Sequence, residues 1–179
     1  NNVESLMNIP DIVLEGGAAF AAIGTAESSG PKLFCMSGNV GNPGVYEVPF
    51  GATTRNLIDM AGGVEGELAA VLVGGAAGTF LSDDQLDVPL TFEATRTEGI
   101  ALGSGVVMVF NRDVDLPAII RRISHFFREE SCGLCVPCRV GTVRQEESLI
   151  RIGEGSSIAQ ELELLDQLDR LLRDASICG

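Results

Sequence analysis

The chain has 179 residues, 45% of them hydrophobic, which is enough to bury a core in one domain or two small ones and too apolar for a disordered chain. Twenty-five acidic residues against twelve basic ones leave a formal charge of −13, spread along the chain rather than gathered in a tail, which speaks against nucleic-acid binding. There is no run of eighteen apolar residues, and Asn1-Asn2-Val3-Glu4 is neither basic nor apolar, so neither a membrane span nor a signal peptide is expected and the setting is expected to be aqueous and reducing.

Without an initiator Met, and stopping one residue after Cys178, the sequence reads as cut from something longer. Residues 3–23 carry apolar positions broken by Pro10 and Gly16-Gly17, which predicts two short helices with a kink. Alternation over Lys32–Val40 and Val45–Val48, about a turn at Asn42-Pro43-Gly44, predicts a hairpin. Thr53 or Thr54 can cap a short helix through Leu57, Ile58 and Met60 that ends at Gly62-Gly63. Strand signals return at Leu68–Val73, around Leu86–Val88 and, most strongly, at Val106–Phe110. Between them Gly74-Gly75-Ala76-Ala77-Gly78 fails the dinucleotide fingerprint, since the later glycine positions hold Ala77 and Phe80; a turn is expected. Together these predict an α+β domain over residues 31–113, a mixed sheet packed on a helix.

From Asp115, a plausible N-cap, Leu116, Ile119, Ile120, Ile123, Phe126 and Phe127 line one face of a helix. A second helix is expected from about Val140 to Ile152. A third follows, with a capping box from Ser157 and Gln160 and a buried face of Ile158, Leu162, Leu165, Leu168 and Leu172. Residues 114–179 are therefore expected to be a small all-α bundle.

The chemistry sits in this last third. Cys132, Cys135 and Cys138 form a C-x2-C-x2-C run, and Cys178 follows about forty positions later. Three thiolates two residues apart can wrap one [4Fe-4S] cluster while the fourth iron takes a distant ligand. Gly133 permits the sharp turn and Pro137 stiffens it. The alternative is a structural zinc site on the same four thiolates, although zinc sites usually come as two separated pairs. Cys35, between Phe34 and Met36, is expected in the core with no ligand role. His125, the only histidine, is expected to be a partly exposed helix-face residue. Arg139 can stabilise negative charge at the cysteines or pair with Glu129 or Glu130.

The run Glu129-Glu130-Ser131-Cys132-Gly133-Leu134-Cys135-Val136-Pro137-Cys138-Arg139-Val140-Gly141 resembles the E-S-C-G-x-C-T-P-C-R-x-G signature of the flavin-bearing, NADH-oxidising subunit of respiratory complex I, a type shared by NAD-linked formate dehydrogenases and bidirectional hydrogenases. Asn1-Asn2-Val3-Glu4-Ser5 resembles that family's N-N-V-E-T, and Leu33–Val48 its ubiquitin-like β-grasp domain of the soluble-ligand-binding (SLBB) type. The resemblance implies a helical remnant of the flavin-binding domain over residues 1–30, the β-grasp domain over 31–113 and a helical [4Fe-4S] domain over 114–179.

It further implies that the cluster is held by Cys132, Cys135, Cys138 and Cys178. Asn1, Asn2 and Ser5 would belong to the flavin mononucleotide (FMN) site, with NAD(H) bound in the intact subunit. For Asn2 the simpler reading is a cap on the first helix. Electrons would pass from FMN through the cluster to an iron-sulfur partner subunit, in the cytoplasm and peripheral to the inner membrane. No side chain is expected to act as acid, base or nucleophile. Val136 departs from the family's Thr and Ser5 from another Thr, and the glycine-rich domain that forms most of the flavin and NADH site has no counterpart in these residues. The competing expectation is a ligand- or partner-binding β-grasp module with a purely structural four-cysteine site.

Overall fold

The computed structural model describes residues 2–178. They form two compact units, one ending at Val114 and the other starting at Asp115.

The first unit opens with three short helices, α1 (Val3–Met7), α2 (Ile9–Glu15) and α3 (Gly17–Ala21), rather than the two expected. Asn8 ends the first, and Gly16, at φ +93°, breaks the chain again before α3. The expected hairpin follows as β1 (Pro31–Gly38) and β2 (Gly44–Pro49), antiparallel with Cys35 opposite Val45. Helix α4 (Thr54–Met60) is capped by Thr53, which accepts from the Asn56 N–H while the Asn56 side chain accepts from the Thr53 N–H. Then come β3 (Leu68–Val73), β4 (Thr79–Leu81), α5 (Phe92–Thr97) and β5 (Val106–Asn111). The sheet order is β2-β1-β5-β3-β4, with β5 parallel to β1 and antiparallel to β3. This is the mixed sheet of an α+β unit.

Alternation dictates which face is wet. Phe34 and Met36 point into the core with Val48, Val71, Val73, Val107 and Val109, where Leu57, Ile58 and Ala61 of α4 meet them. Cys35 falls on the opposite face and is exposed, against the core position expected for it: the two-residue period outweighs the thiol's preference for burial. Gly38 ends β1 at φ +84°, and a Cβ there would stand 2.1 Å from the Val109 carbonyl oxygen, so the close approach to the central strand requires glycine.

The segment 86–88 is no strand. Leu86 and Leu90 are buried, but the backbone bonds to the start of α4, Arg55 N–H to Leu86 O and Leu90 N–H to Ala52 O, so it supplies core side chains without joining the sheet. The glycine-rich run 74–78 is the expected turn, joining β3 to β4.

The second unit consists of α6 (Leu116–Glu130), α7 (Val136–Gly153) and α8 (Ile158–Ala175), with Asp115 capping α6 by accepting from the Ala118 N–H. Short connections fold each helix back on its predecessor. The seam is built from small groups: Ser124, Gly141, Thr142 and Ser148 are buried, and Leu168 is the only buried apolar side chain among the described residues of this unit. Of the face expected on α6, Ile120 and Phe126 are exposed. Ile158 and Leu162, expected in the seam of α8, are exposed too, whereas Glu161 turns inward to Arg151 and Ser148. Ser157 makes no side-chain cap bond, so the expected capping box is not formed.

Candidate metal centre

Helix α7 begins four residues earlier than its apolar pattern suggests, at Val136, which makes Cys135 its N-cap and puts Cys138 in its first turn. Pro137 occupies the second helical position, where its missing N–H would have no partner in any case. Between α6 and α7 the chain turns through Gly133 at φ +72°, the left-handed conformation that glycine adopts without strain. Because the helices run up, down and up, the end of α6, the start of α7 and the residues after α8 meet at one end of the unit, and Cys178 arrives beside the three clustered cysteines.

All four thiols line one cavity of about 520 Å³, together with Phe126 and Phe127. Cys132 and Cys178 are exposed and Cys135 and Cys138 half-buried; all five cysteines of the chain are free. Among the described residues no three His, Cys, Asp or Glu side chains are grouped so as to hold a single metal ion. A soft, three-and-one thiolate set around a shared cavity fits an iron-sulfur group.

Local hydrogen bonds support the thiolate form of Cys135. The Cys135 thiol is pushed below its ordinary range first by the Ile177 N–H and then by the Cys138 N–H, against the opposing effect of burial, with a small contribution from the Ser176 hydroxyl. Ser176 Oγ is nonetheless buried without a hydrogen bond of full geometry among the described residues. Ser131 Oγ lies 3.3 Å from Cys138 Sγ and accepts from the Gly133 N–H at 3.3 Å. Arg139 pairs with neither Glu129 nor Glu130. Its guanidinium donates to the Gly133 carbonyl at 2.7 Å, folding the cysteine turn back onto α7.

A second layer ties the helices behind the cavity. His125, 57% exposed as its position on the helix suggested, contacts Glu146 Oε1 through Nδ1 at 2.8 Å, and Arg128 holds Oε2 at 2.7 Å. These contacts, Arg128 foremost, lower the Glu146 pKa. Sequence reasoning missed Ser131, Ser176 and Glu146 as parts of the site. Ser131 and Ser176 flank cysteines and could have been suspected on proximity; nothing in the sequence pairs Glu146 with residues twenty positions away.

Of the residues expected at a flavin site, Asn1 lies outside the described residues. Asn2 caps α1, its side chain accepting from the Ser5 N–H at 3.3 Å. Glu4 fastens that helix to β1, taking hydrogen bonds from the Leu33 N–H at 2.7 Å and from Lys32 Nζ at 3.2 Å. Ser5 lines a shallow cleft with Lys32, Phe50 and Phe92.

Comparison with known proteins gives two family matches. Residues 33–76 match the SLBB domain, and residues 118–179 match the NADH-ubiquinone oxidoreductase-F iron-sulfur binding region. The chain is 37% identical over its whole length to the NADP-reducing hydrogenase subunit HndC of Solidesulfovibrio fructosivorans, covering 37% of it. It is also 37% identical, over 96% of its length, to a subunit of the NADH-quinone oxidoreductase of Escherichia coli (strain K12), covering 39% of that protein. Among solved structures, an NAD+-reducing [NiFe]-hydrogenase in the H2-reduced state matches with a TM-score of 0.88 and 41% identity, over 98% of this chain and 30% of the other. The chain thus spans less than half the length of each of these relatives.

Proposed function

Because residues 33–76 belong to the SLBB domain family and residues 118–179 to the NADH-ubiquinone oxidoreductase-F iron-sulfur binding family, we propose that the chain is the electron-transfer portion of an NADH-linked oxidoreductase subunit. Its task is to relay electrons from FMN to a partner iron-sulfur subunit by way of a [4Fe-4S] cluster on Cys132, Cys135, Cys138 and Cys178. The observation that carries this reading is the meeting of all four thiols on one cavity. A cluster bound there supplies reversible one-electron chemistry.

The chain's own residues do the holding. Gly133 gives the turn that brings Cys132 and Cys135 to the same cavity, and the N–H groups of Ile177 and Cys138 favour a deprotonated Cys135. Phe126 and Phe127 give the cavity apolar walls that keep water back. On the cysteine segments Leu134, Val136 and Ile177 are exposed, a dry surface suited to a partner protein. No side chain at the site is assigned as acid, base or nucleophile.

FMN and NAD(H) belong to the intact subunit, to whose flavin site Asn1, Asn2 and Ser5 would contribute. No described helix is long and apolar enough to cross a membrane. The proposed setting is the cytoplasm, with the inner membrane reached through partner subunits.

Anaerobic reconstitution with iron and sulfide, followed by metal counting and low-temperature EPR of the dithionite-reduced protein, tests the proposal. About four irons per chain and a reduced-cluster signal, both lost in Cys135→Ala, are expected. Stoichiometric zinc without a paramagnetic centre would replace the relay with a structural staple.

A further inference from the structure

We infer that the hydroxyls of Ser131 and Ser176 are positioning donors to the sulfur of the centre and set its reduction potential; the inference rests on the electron-relay reading above. Ser131 Oγ stands 3.3 Å from Cys138 Sγ, and in the free thiol either atom can donate. A ligating Cys138 has no proton left, so the hydroxyl must be the donor. Its hydrogen is available for this, because Ser131 Oγ takes the Gly133 N–H as its own incoming donor, and Gly133 is pinned in turn by Arg139. The resulting bond is charge-assisted.

Ser176 is identified by a different observation. Its Oγ is buried, makes no hydrogen bond of full geometry among the described residues and belongs to a residue lining the same cavity. A buried hydroxyl left unpaired is costly and uncommon, and such a group at the wall of a cavity points to an acceptor in what fills it. Sulfur bearing negative charge is that acceptor. The two serines approach from different elements, Ser131 from the end of α6 and Ser176 from the end of α8, while Val136, the first residue of α7, brings no hydroxyl. Hydrogen bonds to sulfur stabilise the more negative, reduced state and raise the potential.

The test is an EPR-monitored redox titration of the reconstituted full chain and of its S131A, S176A and double variants. Each single variant should keep its four irons and its circular dichroism yet titrate at a lower potential, with the double variant lowest. S131T, which keeps the hydroxyl, should stay close to the parent. Should S131A fail to hold iron, the nearly isosteric pair S131T and S131V separates hydroxyl from volume: the valine variant must titrate lower. Iron-replete variants that titrate with the parent overturn the inference while leaving the relay intact. A parent that takes up zinc, or gives no reducible signal, instead overturns the relay reading on which it rests.

Discussion

Two carboxylates, one in each unit, are held near the bottom of the carboxylate range by identifiable neighbours. Glu93 is lowered to about 2, first by the Ser28 hydroxyl and then by Thr25; Glu161 is lowered to about 2, first by Arg151 and then by Ser148. A carboxylate whose folded pKa lies below its unfolded value favours the folded state at any pH above the unfolded value, near 4.5, and loses that advantage as pH falls toward 2. Both units should therefore weaken across that acid window. In E161Q the helical unit's urea midpoint should depend less on pH between 4.5 and 2 than in the parent, and in E93Q the same should hold for the sheet unit. An unchanged acid limb would show that these contacts do not survive in solution. The tethers were invisible in the sequence, because Ser28 and Glu93 stand 65 positions apart with no pattern relating them. The cysteines stood out for the opposite reason: their three-and-one spacing can be read locally, and the fold brings all four to one cavity. Cys35 lacks such a constraint, and its position followed the strand's alternation instead.

At the scale of elements, what could be read depended on length and on burial. β1, β3 and β5 each have six or more residues with apolar side chains toward the core, and all three were expected. β4 has three residues, too few for any period, and α5 buries only Thr95 of its own residues. What makes α5 a helix is its end, where Thr91 accepts from the Ala94 N–H and Glu93 is tied to the loop before β1. Caps of this kind are testable: Thr53→Ala, which removes the side-chain half of the α4 capping box, should cost about 1 kcal/mol in denaturant unfolding. Helix-to-helix distance is testable at Gly141, where a Cβ would lie 3.0 Å from Leu172 Cδ2. Alanine there sets a gain in helix propensity against a tight contact and should come out nearly neutral. Gly141→Val must move α7 from α8 and should cost roughly 1–3 kcal/mol. A valine variant as stable as the parent would mean that this seam is loose.

The two units also differ in what can hold each of them together. A sheet unit followed by a helical one was legible from the switch between two-residue alternation and 3.6-residue spacing. That the helical unit has almost no apolar core was not, because Ile158 and Leu162 read as part of a buried stripe and are in fact exposed. The first unit closes sixteen buried side chains into one cluster, with Phe34, Leu57, Val71 and Val107 wholly enclosed. The second buries Leu168 at 8% exposure and a few small residues, and ties Glu161 to a partly exposed Arg151. A unit so short of apolar burial needs another source of stability, and for small domains a bound metal group is a common one. If the proposed centre draws its ligands from positions as far apart in sequence as Cys132 and Cys178, binding free energy becomes folding free energy. Removing iron anaerobically with a chelator, under reducing conditions, should therefore act unequally along the chain. Amide exchange should accelerate at least tenfold through α6, α7 and α8, while the β1, β3 and β5 amides keep their protection. The same comparison made with Cys178→Ala should give the accelerated pattern before any chelator is added, since in the proposed centre that thiol is the one ligand supplied from beyond α8. Equal protection with and without iron would show that the helices stand by themselves, and that the thiols contribute electron chemistry without contributing to the fold.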